Sequence, residues 1–261
     1  MNIVVCVKQV PDTATERKLR SDDNTLDRDA ADGVVNELDE YAVEEALKIK
    51  ERPQGGECDR PDHGPGKATD TIRKALAMGA DKAVHPQRRR AARLRRAVHL
   101  VRDGPGAQED RFDLVILGSE STERAHRCAG RRCWPSGSAR PSSRWPTRVE
   151  VGQGAITIQR LTDYGYDLVE APLPAVVSVV EKINEPRYPS FKGIMAAKKK
   201  PVETLAIGDA SIDAAQVGLA AAWSEVVDFA AAPPRAAGTI VKDEGDGGEK
   251  AADFLASKKF I

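Results

Sequence analysis

Apolar positions along this chain follow two rhythms, and the change from one to the other outlines the fold. Residues 3–7, Ile-Val-Val-Cys-Val, read as a parallel strand buried on both faces, and Lys8-Gln9-Val10-Pro11-Asp12 ends it in a proline-containing turn. From Asn36 the pattern becomes helical, with Leu38, Tyr41, Ala42 and Ala46 on one face; Asn36 suits the N-cap, and Glu37 and Asp39 suit the positive end of the helix dipole. A second helix runs through Thr69, Ile72, Ala75 and Leu76 and stops at Gly79, a candidate left-handed residue beyond the C-cap. Strands at Lys82–His85 and Asp113–Leu117 follow. Strand, helix, strand, helix in this order implies right-handed crossovers and an α/β fold, a parallel sheet with helices on both faces. Beyond residue 150 the rhythm is β, at Ala155–Arg160, Asp167–Glu170 and Leu173–Val180. From Pro201 the strong periodicity is lost, so residues 1–200 read as the α/β domain and 201–261 as a C-terminal arm ending in a short amphipathic helix, Ala251–Lys258.

Charge narrows the function classes. Forty basic and forty acidic residues cancel, so no global field steers the chain to nucleic acid or to an anionic membrane. No apolar stretch approaches the ~20 residues of a membrane span, and the run after Met1 has neither signal-sequence nor leader character. A cytoplasmic protein without membrane insertion is the expectation. Cys6, Cys58, Cys128 and Cys133 lack the spacing of a disulfide framework and are expected to be reduced.

After Leu173–Val180 the segment Asn184-Glu-Pro-Arg-Tyr-Pro-Ser-Phe-Lys-Gly-Ile-Met-Ala-Ala-Lys-Lys-Lys200 cannot continue the strand, because Pro186 and Pro189 remove donors and restrict Glu185 and Tyr188. It reads as a stiffened, presented loop with Phe191 near its tip, the composition of a docking anchor. Lys198–Lys200 read as a solvated face able to steer an acidic partner.

This segment resembles the corresponding one in the beta subunit of the electron transfer flavoprotein family. The resemblance extends to Met1–Asp12 (MNIVVCVKQVPD), Asn36–Lys50 (NELDEYAVEEALKIK), Gly64–Val84, Phe112–Thr122 (FDLVILGSEST) and Ala237–Gly248 (AGTIVKDEGDGG). It implies an adenine-nucleotide-binding, Rossmann-like domain. It further implies one FAD per heterodimer, held chiefly by the alpha subunit, and a structural AMP in the beta chain. Electrons from acyl-CoA and related dehydrogenases, as in fatty acid oxidation, would pass through that FAD to a membrane quinone oxidoreductase. The C-terminal arm would embrace the partner subunit.

Three windows, 57–63, 86–110 and 123–148, depart from the family pattern. Pro86–Glu150 holds fifteen of the twenty-four arginines and no lysine, and all four histidines fall between Cys58 and Trp145. Cys58-Asp-Arg-Pro-Asp-His63 stands where the family has a buried strand, which tolerates neither charge nor proline. We read these windows as out-of-frame stretches, each compensated downstream. The rival is a genuine basic amphipathic helix over Arg88–Arg102 that meets RNA or an acidic membrane. His126, Cys128 and Cys133 fit no zinc spacing, and no metal site is expected.

Nothing forms a nucleophile–base pair, a carboxylate dyad, a Walker loop or a Gly-x-Gly-x-x-Gly. A redox carrier needs none of these, since its cofactor holds the electrons. A ligand of a parallel sheet belongs at the carboxyl ends of its strands, where Cys6–Pro11, Asn36–Asp39 and Gly118–Thr122 converge. By position in the family, AMP would be met by Cys6, Asn36, Glu37, Leu38, Asp39, His63, Gly118, Ser119, Ser121 and Thr122, with the phosphate in the last loop. Capping is the simpler role for Asn36, and a small strand hydrophobe the simpler one for Cys6. Gln9, Val10, Pro11, Asp12 and Thr13 would lie near the flavin edge. Asn184, Glu185, Pro186, Arg187, Tyr188, Phe191, Ile194 and Met195 would form the dehydrogenase-docking segment. Two other readings stay open: an electron-bifurcating type with a second FAD in place of AMP, and a stand-alone adenine-nucleotide-binding regulator without flavin.

Overall fold

The computed structural model describes residues 1–52, 57–61, 69–87, 112–122, 126–127, 142–144, 146–206, 226–230, 233, 238, 240 and 242–261. The chain divides into two compact units, Met1–Glu225 and Val226–Ile261.

In the first unit the strands are β1 (Asn2–Cys6), β2 (Gln9–Pro11), β3 (Gly33–Val35), β4 (Glu57–Pro61), β5 (Lys82–Gln87), β6 (Leu114–Gly118), β7 (Glu120–Ser121), β8 (His126–Arg127), β9 (Ser142–Arg144), β10 (Pro146–Val151), β11 (Ala155–Thr162), β12 (Gly165–Pro172), β13 (Ala175–Val179) and β14 (Val202–Ala206). The helices are α1 (Glu37–Glu51), α2 (Thr69–Met78) and α3 (Phe191–Ala197). Seven strands form a parallel sheet in the order β14-β5-β4-β1-β6-β13-β9. Chain order runs outward from β1 to β4 and β5 on one side and resumes at β6 on the other. The β1/β6 junction is therefore a topological switch point, where loops diverge and leave a crevice at the strands' carboxyl ends.

Sheet and helices interlock as the residue pattern requires. On one face Ile3, Val5, Leu114, Ile116, Val177 and Val179 pack with Ala42, Val43, Ala46 and Leu47 of α1. On the other, Val4 and Cys6 join Phe112, Val115 and Val176. A strand buried on both sides reads as an unbroken apolar run, and all five residues of β13 are buried. Consecutive right-handed crossovers put α1 and α2 on the same face, in contact with each other. At the end of α2, Gly79 has φ 144°, a conformation an L side chain rarely adopts.

A second sheet, β10-β11-β12, is antiparallel. Val149, Ile156 and Ile158 point into the core over α1, while Tyr166 and Leu168 face outward. Alternation of this kind belongs to a sheet with one solvated face.

Several expectations change. Glu57–Pro61 is an interior strand, paired with β1 and β5, although its sequence argued against one. Pro61 is the strand's last residue: pairing with β1 ends at Asp59, and Pro61 pairs only with Val84 of β5. The boundary expected at residue 200 falls inside the first unit, since β14 extends the parallel sheet beside β5. Its Val-Glu-Thr-Leu-Ala does not alternate and is too short to register as periodicity. Helical structure near the C-terminus starts at Gly247, not Ala251: α4 spans Gly247–Ser257 in the second unit. There Asp243 Oδ1 accepts from the Gly245 and Gly247 amides, both at 2.9 Å, and turns the chain into the helix. Within its unit α4 buries no residue. Most of the arginine-rich windows and the Arg88–Arg102 stripe lie outside the described residues.

Candidate functional site

The crevice is built by three segments: the exit of β1 (Cys6–Gln9), the start of α1 (Asn36–Asp39) and the exit of β6 (Gly118–Thr122). Asn36 occupies the N-cap position, but its side chain makes no capping hydrogen bond. Instead its carboxamide reaches across to the β6 exit, where Nδ2 donates to the Glu120 carbonyl at 2.9 Å and Oδ1 accepts from the Thr122 amide at 3.0 Å. The capping role is thus corrected. Asn36 is buried, and both halves of its amide find backbone partners on the loop, a stronger demand than a cap.

Asp39 is the electrostatic centre of the crevice. Its Oδ2 accepts from the Lys8 amide at 2.8 Å, and Asn36 and the Gly118 backbone also bond to it. Burial outweighs these bonds and raises its pKa from the ordinary 3.8 to about 7. Gly118 must be glycine, because a Cβ there would collide with Asp39 Oδ1 and lie 2.8 Å from the Leu38 carbonyl carbon. Asp39 therefore joins β1, α1 and β6, and its carboxylate points into protein.

The phosphate-type groups lie on the β6 exit. Ser119 and Ser121 are buried, and Lys8 Nζ reaches Ser121 Oγ at 3.3 Å. Thr122 Oγ1 is buried without a hydrogen-bond partner among the described residues. An orphaned hydroxyl beside two serines and a lysine fits an anionic oxygen ligand. The α1 terminus fits one less well, since Glu37 and Glu40 in its first turn already complement its dipole. Glu37 is exposed and Leu38 half-buried at the crevice mouth. Cys6 packs against the Phe112 cluster, as a small strand hydrophobe does. His63 lies outside the described residues.

Of the flavin-side candidates, Gln9, Val10 and Pro11 belong to β2, which pairs with β3 and buries Val10 and Pro11. Asp12 closes a turn: its Oδ1 accepts from Ala14 N at 2.9 Å, and Thr13 stands exposed at its tip.

The docking candidates form a different surface. Phe191 is the first residue of α3 and not a loop tip; Ser190 caps that helix by accepting from the Gly193 amide at 3.0 Å. Tyr188 is 96% exposed and Phe191 80%, with Ile194 and Met195 about half exposed beside them. Phe191 is therefore not tucked onto its own domain. Beneath the patch the backbone is fixed. A Cβ on Gly193 would stand 2.5 Å from the Ala77 carbonyl oxygen, so α3 lies directly on α2. Arg73 Nη1 donates to the Ala197 carbonyl and, at 3.0 Å, to that of Lys200, while Lys200 Nζ donates to the Leu76 and Ala80 carbonyls at 3.0 and 2.6 Å. Carbonyls at and just beyond the end of α3 are thus bonded by Arg73 of α2, and those at and just beyond the end of α2 by Lys200, three residues past α3. Lys198 and Lys199 are exposed, whereas Lys200 is a cap and not part of a solvated face.

Upstream, Asn184 Nδ2 donates to the Tyr41 carbonyl at 3.1 Å and to Glu45 Oε2 at 3.0 Å. Arg187 binds Glu44 and Glu51 of α1. Reading the sequence missed Lys8, Glu44, Glu45, Arg73 and the capping by Lys200. The one local signal was Glu44-Glu45 set among the apolar positions of α1, which demands a buried partner. The cavity of about 370 Å³ lined by Glu45, Lys48, Glu51, Arg52 and Arg148 sits at the far end of α1 from the crevice. Among the described residues no group of acidic, histidine and cysteine side chains is arranged to hold a metal, and no helix is long and apolar enough to cross a membrane.

The electron transfer flavoprotein domain matches residues 23–210. The chain is 44% identical over 277 aligned residues to the electron transfer flavoprotein subunit beta of Mycobacterium tuberculosis, covering 100% of this chain and 99% of that one. It is 37% identical over 251 residues to the subunit beta of Syntrophomonas wolfei, covering 94% and 91%. To the mitochondrial subunit beta of Oryza sativa subsp. indica it is 32% identical over 256 residues, covering 92% and 93%.

Proposed function

Since the chain belongs to the electron transfer flavoprotein family, as the beta subunit that pairs with an alpha subunit, we propose that it holds an adenine nucleotide in the β1/β6 crevice and recruits an acyl-CoA dehydrogenase through α3. The heterodimer is cytoplasmic and passes its electrons on to a membrane quinone oxidoreductase. FAD, held mainly by the alpha subunit, supplies the redox chemistry when bound.

The residues of this chain do three things. Ser119, Ser121 and Thr122 offer hydroxyls to the nucleotide phosphate beside Gly118, and Asn36 holds that loop by two hydrogen bonds. Asp12 and Thr13, in the turn after β2, stand toward the flavin edge. Tyr188, Phe191, Ile194 and Met195 meet the dehydrogenase, with Lys192, Lys198 and Lys199 as exposed cations around them. The nucleotide is AMP, and flavin counting tests this: one FAD per heterodimer supports AMP, and two would put a second FAD in the crevice.

The observation that carries docking is Phe191, 80% exposed on a helix whose underside is locked to α2. An apolar anchor on a rigid support loses little entropy on binding. Phe191→Ala in the heterodimer is expected to slow reduction by the dehydrogenase about tenfold or more, with FAD content unchanged. Loss of FAD together with activity would refute a pure docking role.

A further inference from the structure

Four residues before Phe191, Arg187 makes more hydrogen bonds than chain continuity requires. Its Nε and Nη2 donate to the two oxygens of Glu44 at 2.8 and 3.0 Å, and its Nη1 and Nη2 to the two oxygens of Glu51 at 2.6 and 2.9 Å. The Arg187 amide adds a bond to Glu44 Oε2 at 3.2 Å. Glu44 and Glu51 are two helical turns apart on one stripe of α1, so the planar guanidinium is held edge-on along the helix axis. The Glu44 side chain is only 6% exposed, which makes the pair costly to break; Glu51 is 55% exposed. Arg187 keeps its proton more firmly than a free arginine because both carboxylates accept from it, and Glu51 is held below the ordinary glutamate range by the same bonds.

The orientation set at Arg187 is transmitted to α3. Pro186 and Pro189 restrict φ on either side, and Ser190 then caps α3 by its bond to Gly193. Through Arg73, Lys200 and Gly193 the helix is tied to α2; through Arg187 its entry is tied to α1.

We propose that Arg187 is a positioning residue for dehydrogenase docking: forked between Glu44 and Glu51, it fixes the direction in which the chain presents Phe191 and its apolar neighbours. This rests on the docking reading above. Lysine keeps the charge but replaces four directed N–H groups by one compact ammonium, so it cannot bind both carboxylates bidentately.

The test uses Arg187→Lys, Phe191→Ala and the double variant in the full heterodimer. Reduction by a purified acyl-CoA dehydrogenase is followed as KM and kcat, beside FAD content and reduction by dithionite. Arg187→Lys is expected to raise KM about five- to tenfold, the size of a modest loss of pre-organisation at the anchor, leaving kcat, FAD content and dithionite reduction unchanged. Because Arg187 acts only through the patch, the double variant should be no worse than Phe191→Ala, a coupling that a general structural defect does not produce. Glu51→Gln, which keeps the buried Glu44 pair, should raise KM about two- to threefold and carries the test if Arg187→Lys does not assemble. If Phe191→Ala raises KM while both fork variants leave it unchanged, or if the effects simply add, positioning by Arg187 is overturned and docking stands. If Phe191→Ala leaves KM unchanged, the docking reading falls and this proposal with it.

Discussion

At the crevice a carboxylate is buried among neutral donors, whereas at the docking segment two carboxylates meet a guanidinium. Asp39 holds β1, α1 and β6 together through backbone amides and Asn36, and burial lifts its pKa to about 7. Glu51, paired with Arg187, is moved in the opposite direction. Both are joints between distant segments, yet only the first should respond to pH near neutrality. Desolvation outweighs neutral hydrogen bonds at Asp39, while at Glu51 hydrogen bonding to a cation outweighs partial burial.

The largest expected effect separates the two joints by titration. Folded Asp39 keeps its proton between about pH 4 and 7, where the unfolded chain has lost it, so the folded state binds more protons there. Stability is accordingly expected to fall as pH rises through that window, by up to a few kcal/mol, and then to level off. Asp39→Asn should remove this slope, as read by thermal unfolding at a series of pH values. A slope unchanged in the variant would assign it to another group.

Gly118→Ala attacks the crevice by overpacking against Asp39 and the Leu38 backbone. A loss of about 3 kcal/mol is expected in denaturant unfolding, together with weakened nucleotide retention and unchanged binding of the dehydrogenase. Gly193→Ala is the matching change at the other surface, where the new methyl meets the Ala77 carbonyl oxygen. The clash falls on the locked underside of α3, and about 1–2 kcal/mol is expected, with dehydrogenase affinity reduced and nucleotide content intact. Exchange of these two phenotypes would break the separation of the surfaces.

The last expected result concerns the chain itself. Peptide mass mapping of residues 57–148 in protein from its native cells should find lysine-containing peptides in place of the arginine-rich ones, as the out-of-frame reading requires. Recovery of the arginine-rich peptides as written would make the windows genuine.

Legibility in the sequence followed the range of the interaction. The strands β1, β6 and β13 and the helices α1 and α2 were readable because burial on one face or two imposes a period on neighbouring residues. β4 and β14 were missed: the first carries charge and proline in an interior position, and the second is too short to show a period. α3 was taken for a loop because Pro186 and Pro189 dominate its approach, while its signal, Ser190 as N-cap, is a single residue.

At the sites the same rule holds. Sequence alone determined which segments reach the carboxyl ends of the strands, because parallel topology is a consequence of local pattern; that Phe191 is exposed and not tucked onto its own domain was decided by the tertiary structure. What Asn36, Asp39, Arg73 and Arg187 bind was decided only in three dimensions. Asn36 is 86 residues from Thr122, and Arg187 is 143 from Glu44. No spacing rule links residues so far apart; their hydrogen bonds exist only once the sheet order has brought α1 beside both exits, and burial then settles which carboxylate keeps its proton.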